Sequence, residues 1–162
     1  MILIKIEALE GQPWNYASLA PALGMSTSTI HDGLKTAFAA GLYDPMRRLP
    51  IRRNLLEFLI HGIKYCFPPD RGPIVRGIPT SYSASPLVSM FPPSSEPPPV
   101  WPFGSGMVRG VSFQPLYPSA PVAALSDPRF GELLVLIDAI RDGRTRESKA
   151  AVDELTKRLP TY

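Results

Sequence analysis

LAPALGMSTSTIHDGL, residues 19–34, sets a glycine and four small hydroxyl-bearing residues between two short apolar runs. It is either a turn in an ordinary helical protein or the centre of a helix-turn-helix. Upstream, Asn15 is placed to cap a helix that begins near Tyr16 and holds Ala17, Leu19, Ala20 and Leu23 inside. Gly24 stands at its end, where a left-handed φ costs a glycine little. Pro21 falls in the second turn, where it removes a backbone donor and predicts a short or distorted helix. Downstream, Ser26 stands where an N-cap belongs, and Ile30, Leu34, Ala37 and Phe38 recur on one face of a helix expected from about Thr27 to Ala40. Gly41 supplies the stop. The opposite face carries Ser28, His31, Asp32 and Lys35, short or polar groups able to donate to or accept from a base edge or a phosphate.

The rest of the chain bounds what this segment serves. Its 162 residues fit one ordinary core, and 44% apolar with 19% charged residues is a globular composition. Prolines are the anomaly: of 20, fourteen fall between Pro68 and Pro121, which makes the middle extended and leaves both ends free for helices. A single cysteine, Cys66, excludes an intramolecular disulfide framework, and no leader or long apolar stretch is seen, so a cytoplasmic protein with no membrane association is expected. Net charge is only +3, so distribution matters more than total. Residues 33–76 hold eight Lys or Arg against three acids, whereas from Asp127 onward there are seven of each. The positive excess adjoins the opening segment.

Around it, Ile2, Leu3, Ile6 and Leu9 recur at helical spacing, although residues 2–6 also read as a strand. A basic linker, Arg47-Arg48-Leu49-Pro50-Ile51-Arg52-Arg53, leads to an apolar helix over about Asn54–Cys66, ended by Pro68-Pro69. The middle contains an internal echo, Ile74-Val75-Arg76-Gly77-Ile78 and Met107-Val108-Arg109-Gly110-Val111, which predicts two short strands. Between them, residues 86–106 read as a surface loop with polyproline II character. Asp127-Pro128 starts a helix stopped at Asp142-Gly143, and a second runs from about Thr145 to Leu159. The expected fold is mainly α (α+β), in three regions: 1–67, a helix-turn-helix with the following apolar helix; 68–125, Pro-rich with short strands; and 126–162, a helical hairpin.

The segment from Asn15 to Leu42 resembles the helix-turn-helix of the bacterial winged-helix regulators, the MarR-like and related families. Leu19 and Ala20 take the apolar and small places of the first helix, Leu23-Gly24-Met25 the turn, Ser26 the cap, Ile30 and Leu34 the buried face of the recognition helix, and Ala40-Gly41-Leu42 its ending. Two helices crossing at a wide angle need a small residue at the crossing, a turn residue free of φ constraint and an apolar residue beneath the second helix. The departure is at the wing, because the basic linker leads directly to an apolar helix. The wing is therefore absent, very short, or built from the strands at Val75 and Val108.

The resemblance implies a regulator of transcription that reads double-stranded DNA as a homodimer. Its DNA-binding residues are expected among Ser26, Thr27, Ser28, Thr29, His31, Asp32 and Lys35 on the helix, with Arg47, Arg48, Arg52 and Arg53 on phosphates. The Leu55–Cys66 helix and the terminal hairpin are the expected dimer surfaces. The rival expectation is an antitoxin or accessory protein of a two-gene module that grips a partner protein, such as a toxin, through its Pro-rich and C-terminal regions. No enzyme is expected, because no convergent nucleophile, base and oxyanion set can be named, and no cofactor or metal, since two His and one Cys make no zinc constellation. His61 is expected to be a partly buried structural residue or a dimer-interface residue, and Cys66 a small buried hydrophobe. Gly104-Ser105-Gly106 reads as a turn, and Tyr82, Trp101, Phe103 and Tyr117 either line a ligand pocket or pin the loop to the core.

Overall fold

The structure, a computed structural model, describes residues 1–161 and is of mixed α+β class. Helices α1 (Ile2–Ala8), α2 (Tyr16–Leu23) and α3 (Thr27–Ala39) are followed by a two-stranded hairpin, β1 (Tyr43–Asp44) with β2 (Leu49–Pro50). Helix α4 (Arg52–Glu57) runs through a π-helical turn, Phe58–Gly62, into α5 (Ile63–Cys66). The proline-rich middle contributes β3 (Arg71–Pro79), β4 (Pro99–Pro102) and β5 (Val108–Phe113). The chain continues with α6 (Ala120–Ser126), α7 (Pro128–Asp142) and α8 (Thr145–Arg158). No helix is long and apolar enough to cross a membrane.

One hydrophobic cluster draws on both ends and the middle of the chain, from Leu3 and Ile6 through Leu59 and Trp101 to Leu155. Helix α7 is its axis. Asp127 accepts from the Phe130 N–H as its N-cap, Pro128 fits the first turn, and Gly143 closes it with φ +74°. Every residue from Leu133 to Arg141 is buried, because α1, α5, α6 and α8 all pack against this helix. Its sequence therefore lacks the polar stripe of a surface helix. Two polar side chains are carried inside. The Asp138 carboxylate accepts from Thr80 Oγ1 at 2.7 Å, Trp101 Nε1 at 2.7 Å and Arg141 Nη1 at 2.6 Å. The Arg141 guanidinium also donates to the carbonyls of Phe67 at 2.8 Å and Gln114 at 3.2 Å. Burial pushes the Asp138 carboxyl's pKa up, against the pull of Arg141, Thr80 and Trp101.

The expected pair of strands is present, and a third joins them. Gly77, Ile78 and Pro79 of β3 lie opposite Pro102, Trp101 and Val100 of β4, while β5 pairs antiparallel with β3 and, at Pro99–Val111 and Val100–Ser112, parallel with β4. The three strands close into a minimal barrel. Glycine is required inside it: a Cβ on Gly77 would run into the Trp101 carbonyl, and one on Gly110 into the Pro98 carbonyl. Residues 86–106, expected as a surface loop, thus send Val100 and Trp101 into the core. Phe38, expected on the buried face of α3, is 57% exposed. Cys66, expected buried, is exposed, and so is His61, which lies 3.8 Å from Glu57 and is therefore not the partly buried structural histidine of the first expectation. At the end of α5 and on the outer side of the π-helical turn, nothing covers them.

Candidate nucleic-acid interface

The geometry of the α2–α3 unit follows from its caps. Asn15 Oδ1 accepts from the Ser18 N–H at 2.8 Å while Ser18 Oγ accepts from the Asn15 N–H at 3.1 Å, a reciprocal capping box. Pro21 lies inside α2 near its end, so the intrahelical bond it forfeits is to the Ala17 carbonyl alone. The helix then stops at Gly24, whose φ of +61° and ψ of +36° turn the chain, and Met25 N–H returns to the Ala20 carbonyl at 2.9 Å. Ser26 Oγ accepts from the Thr29 N–H at 3.0 Å and starts α3. Ile30 and Leu34 are buried beneath α3, and Gly33 is where α1 crosses it, since a Cβ there would meet the Ile2 side chain. Ser119, just ahead of α6, braces the turn from outside by donating its hydroxyl to the Leu23 carbonyl.

The hairpin β1–β2 directly follows α3 and corrects the expected linker. Tyr43 pairs with Pro50 and Asp44 with Leu49, and Ile51 N–H bonds the Leu42 carbonyl at 2.9 Å. Asp44 Oδ1 accepts from the Met46 N–H at 2.9 Å and the Arg47 N–H at 3.2 Å, shaping the loop as an Asx turn. A hairpin with two residues in each strand thus stands between α3 and α4. Burial pushes the Tyr43 phenol's pKa up, as befits a side chain sealed under the hairpin.

The expected site residues are all exposed, but some are engaged by other parts of the protein and some are not. Thr27, Ser28, His31, Asp32 and Lys35 are exposed together on α3, with His31 Nδ1 3.7 Å from Asp32 Oδ1. Arg47, 82% exposed at its side chain, stands at the hairpin tip, and Arg53 is exposed in the first turn of α4. Ser26 is occupied as the cap, and Thr29 Oγ1 lies 2.8 Å from Ser26 Oγ. Arg48 is turned onto the protein: its guanidinium stacks 4.4 Å over the Trp14 ring and donates to the Trp14 carbonyl at 3.0 Å, while Trp14 Nε1 donates back to the Arg48 carbonyl. Arg52 donates at 2.9 Å to the buried Glu7 carboxylate, whose pKa burial pushes up and Arg52 pulls down.

Two aromatics that sequence reasoning passed over connect the hairpin to α3. Trp14 stacks edge-on against Tyr16 at 5.9 Å, and the Tyr16 ring lies 6.2 Å from the His31 ring. The contiguous series Arg48, Trp14, Tyr16, His31 is a strut between the hairpin and the exposed face of α3. The only sequence signal for it is a pair of aromatics flanking the cap residue Asn15 in an otherwise polar segment.

Behind α3, an apolar cavity of about 400 Å³ lies between α1, α3 and the α4–α5 helix, with Ala37, Phe58, Leu59 and Ile63 among its walls. Phe67, one of its walls, is 46% exposed, and Phe38 on α3 and Tyr65 on α5 are 57% and 76% exposed. This arrangement presents a polar helix face, a cationic hairpin tip and, apart from them, an uncovered apolar flank. Comparison of the chain with known protein families, with curated proteins and with solved structures finds no match.

Proposed function

We propose that the protein is a sequence-specific DNA-binding regulator of transcription, with α3 as the recognition helix of a winged helix-turn-helix and β1–β2 as its short wing. The observation that carries this reading is the exposed set Thr27, Ser28, His31, Asp32 and Lys35 on a helix fixed at its start by the Ser26 cap. Lys35 suits a guanine O6/N7 edge or a phosphate, Asp32 a cytosine amino group, and the hydroxyls either. Arg53, which has no ion-pair partner among the described residues, and Arg47, exposed and held only by the loose 3.7 Å pair with Asp44, are the arginines of this region placed to meet phosphates beside the groove. A homodimer fits the reading, because two recognition helices reach half-sites about 34 Å apart. The exposed Tyr65 and Phe67 support the α4–α5 flank as its seam.

The test is fluorescence anisotropy with duplex from the gene's own upstream region and with scrambled duplex, over a salt series, alongside Ser28→Ala/Lys35→Ala. Preference for the upstream duplex, reduced in the variant by about 1–3 kcal/mol for each base edge no longer read, supports the reading. Equal binding of both duplexes reduces it to a basic surface, and no binding at low salt refutes it. Light scattering that finds a monomer at micromolar concentration removes the dimer.

A second reading, an antitoxin or accessory protein that grips a protein partner, is favoured by one observation. Val122 and Leu125, three apart on α6, are 57% and 58% exposed, an apolar pair on the outer face of an otherwise packed helix. Co-purification with the product of a neighbouring gene, abolished in Val122→Asp/Leu125→Asp, is its test.

A further inference from the structure

The repeated segments Val75-Arg76-Gly77 and Val108-Arg109-Gly110 meet each other in the barrel. Val75 lies opposite Gly110, Arg76 opposite Arg109, and Gly77 opposite Val108, so the two copies are related by a local two-fold axis through the arginines. The glycines face inward, where β4 crosses. Because side chains alternate along a strand, Arg76 and Arg109 project together from the outer face, and both residues are exposed. Like charges directly opposite on a sheet repel, and this repeat brings them together by symmetry.

The remaining arginines show how unusual the pair is. Of the twelve arginines in the sequence, Arg47, Arg52, Arg71, Arg129, Arg141, Arg144 and Arg158 form ion pairs. Arg48 is bonded to Trp14 and Arg146 lies over the Phe91 ring. Among the described residues that leaves Arg53, Arg76 and Arg109 without an ion-pair or aromatic partner, and two of the three stand face to face. Nearby carboxylates do not relieve them. Between Pro68 and Pro118 the sequence has only Asp70 and Glu96, and Glu96 is taken by Arg144 at 2.9 Å.

We infer that Arg76 and Arg109 form a cationic clip for the phosphodiester backbone of nucleic acid, a second binding surface separate from α3. Two planar guanidiniums on neighbouring strands offer the paired donors that phosphate oxygens accept bidentately. The inference rests on the proposed function for its ligand class, but concerns different residues.

The experiment is anisotropy with the same two duplexes over a salt series, using the full chain, Arg76→Gln/Arg109→Gln and, separately, Arg109→Glu. The clip predicts that the double variant binds both duplexes more weakly by the same factor and flattens the slope of log K against log[salt] by about 1.8, the value for two phosphates no longer neutralised. Arg109→Glu puts a carboxylate opposite Arg76, so it is expected to release the phosphates while its melting temperature holds or rises. This separates weakened binding from impaired folding. Unchanged slope and affinity in both variants overturn the clip, even if Ser28→Ala/Lys35→Ala abolishes the duplex preference. Conversely, a flattened slope in the clip variants without any α3-dependent preference keeps the clip and removes the recognition helix. Absence of duplex binding overturns both. Binding to an acidic peptide, but to neither duplex, that depends on Arg76 and Arg109 overturns it in favour of a protein partner.

Discussion

Replacing Asp138 by Asn probes the polar centre of the fold. The substitution keeps the size of the side chain and an oxygen for Trp101 Nε1 and Thr80 Oγ1, but removes the charge that faces Arg141 Nη1 at 2.6 Å. Arg141 is 2% exposed at its side chain, so its guanidinium then depends on the carbonyls of Phe67 and Gln114 and on the Phe113 ring 5.4 Å away, none of which carries a negative charge. Breaking one side of a buried pair costs about 3–5 kcal/mol, since the orphaned charge has no water to return to. For a domain of this size that lowers the melting temperature by roughly 6–20 °C. Urea unfolding followed by circular dichroism and tryptophan fluorescence measures it. The double variant Asp138→Leu/Arg141→Met removes both charges together and is expected to lose much less than Asp138→Leu alone. A loss below about 1 kcal/mol for Asp138→Asn would show that water or another group neutralises Arg141, and would refute the reasoning.

Two further outcomes test the barrel and the packing of α1 on α7. Gly77→Ala drives a Cβ into the Trp101 carbonyl and is expected to cost about 3 kcal/mol in urea unfolding, whereas Gly104→Ala, with nothing near its added Cβ, stays within about 0.5 kcal/mol. Burial pushes the Asp127 carboxyl up, but the hydrogen bonds from Lys5 and from the Phe130 N–H outweigh it, so its pKa lies below the usual value. A carboxyl depressed in the folded state contributes stability that is complete above its unfolded pKa, about 3.9, and is lost as pH falls toward the folded value. Wild-type stability is therefore expected to fall more steeply than that of Asp127→Asn below about pH 4; parallel pH curves would refute this assignment.

The local signals in the sequence are sufficient where one short-range interaction decides the outcome. Asn15, Gly24, Ser26, Asp127 and Gly143 mark helix boundaries that the structure places at or next to those residues, because each acts on its own turn. The echo of Val-Arg-Gly predicts two strands but not their symmetric register or the third strand. Strand β4 is rich in proline and is held by Val100 and Trp101, whose partners are distant in the chain. At the candidate interface, the polar face of α3 is legible from helical periodicity. The engagement of Arg48 and Arg52 is not, since it depends on Trp14 and Glu7, 34 and 45 residues away. Phe38 shows the same limit from the other side, for periodicity names a face without saying whether anything covers it.

The bond from Ser119 to the Leu23 carbonyl spans 96 residues of chain. At a synthesis rate of roughly 5–20 residues per second, the brace on the α2–α3 turn arrives about 5–20 s after the turn itself has been made. Helix α7, against which α1 packs, emerges later still. A nascent chain thus carries the exposed polar helix long before it carries the parts that fix its orientation. The surface proposed to read DNA gains its brace and its packing partner only once α6 and α7 have been made.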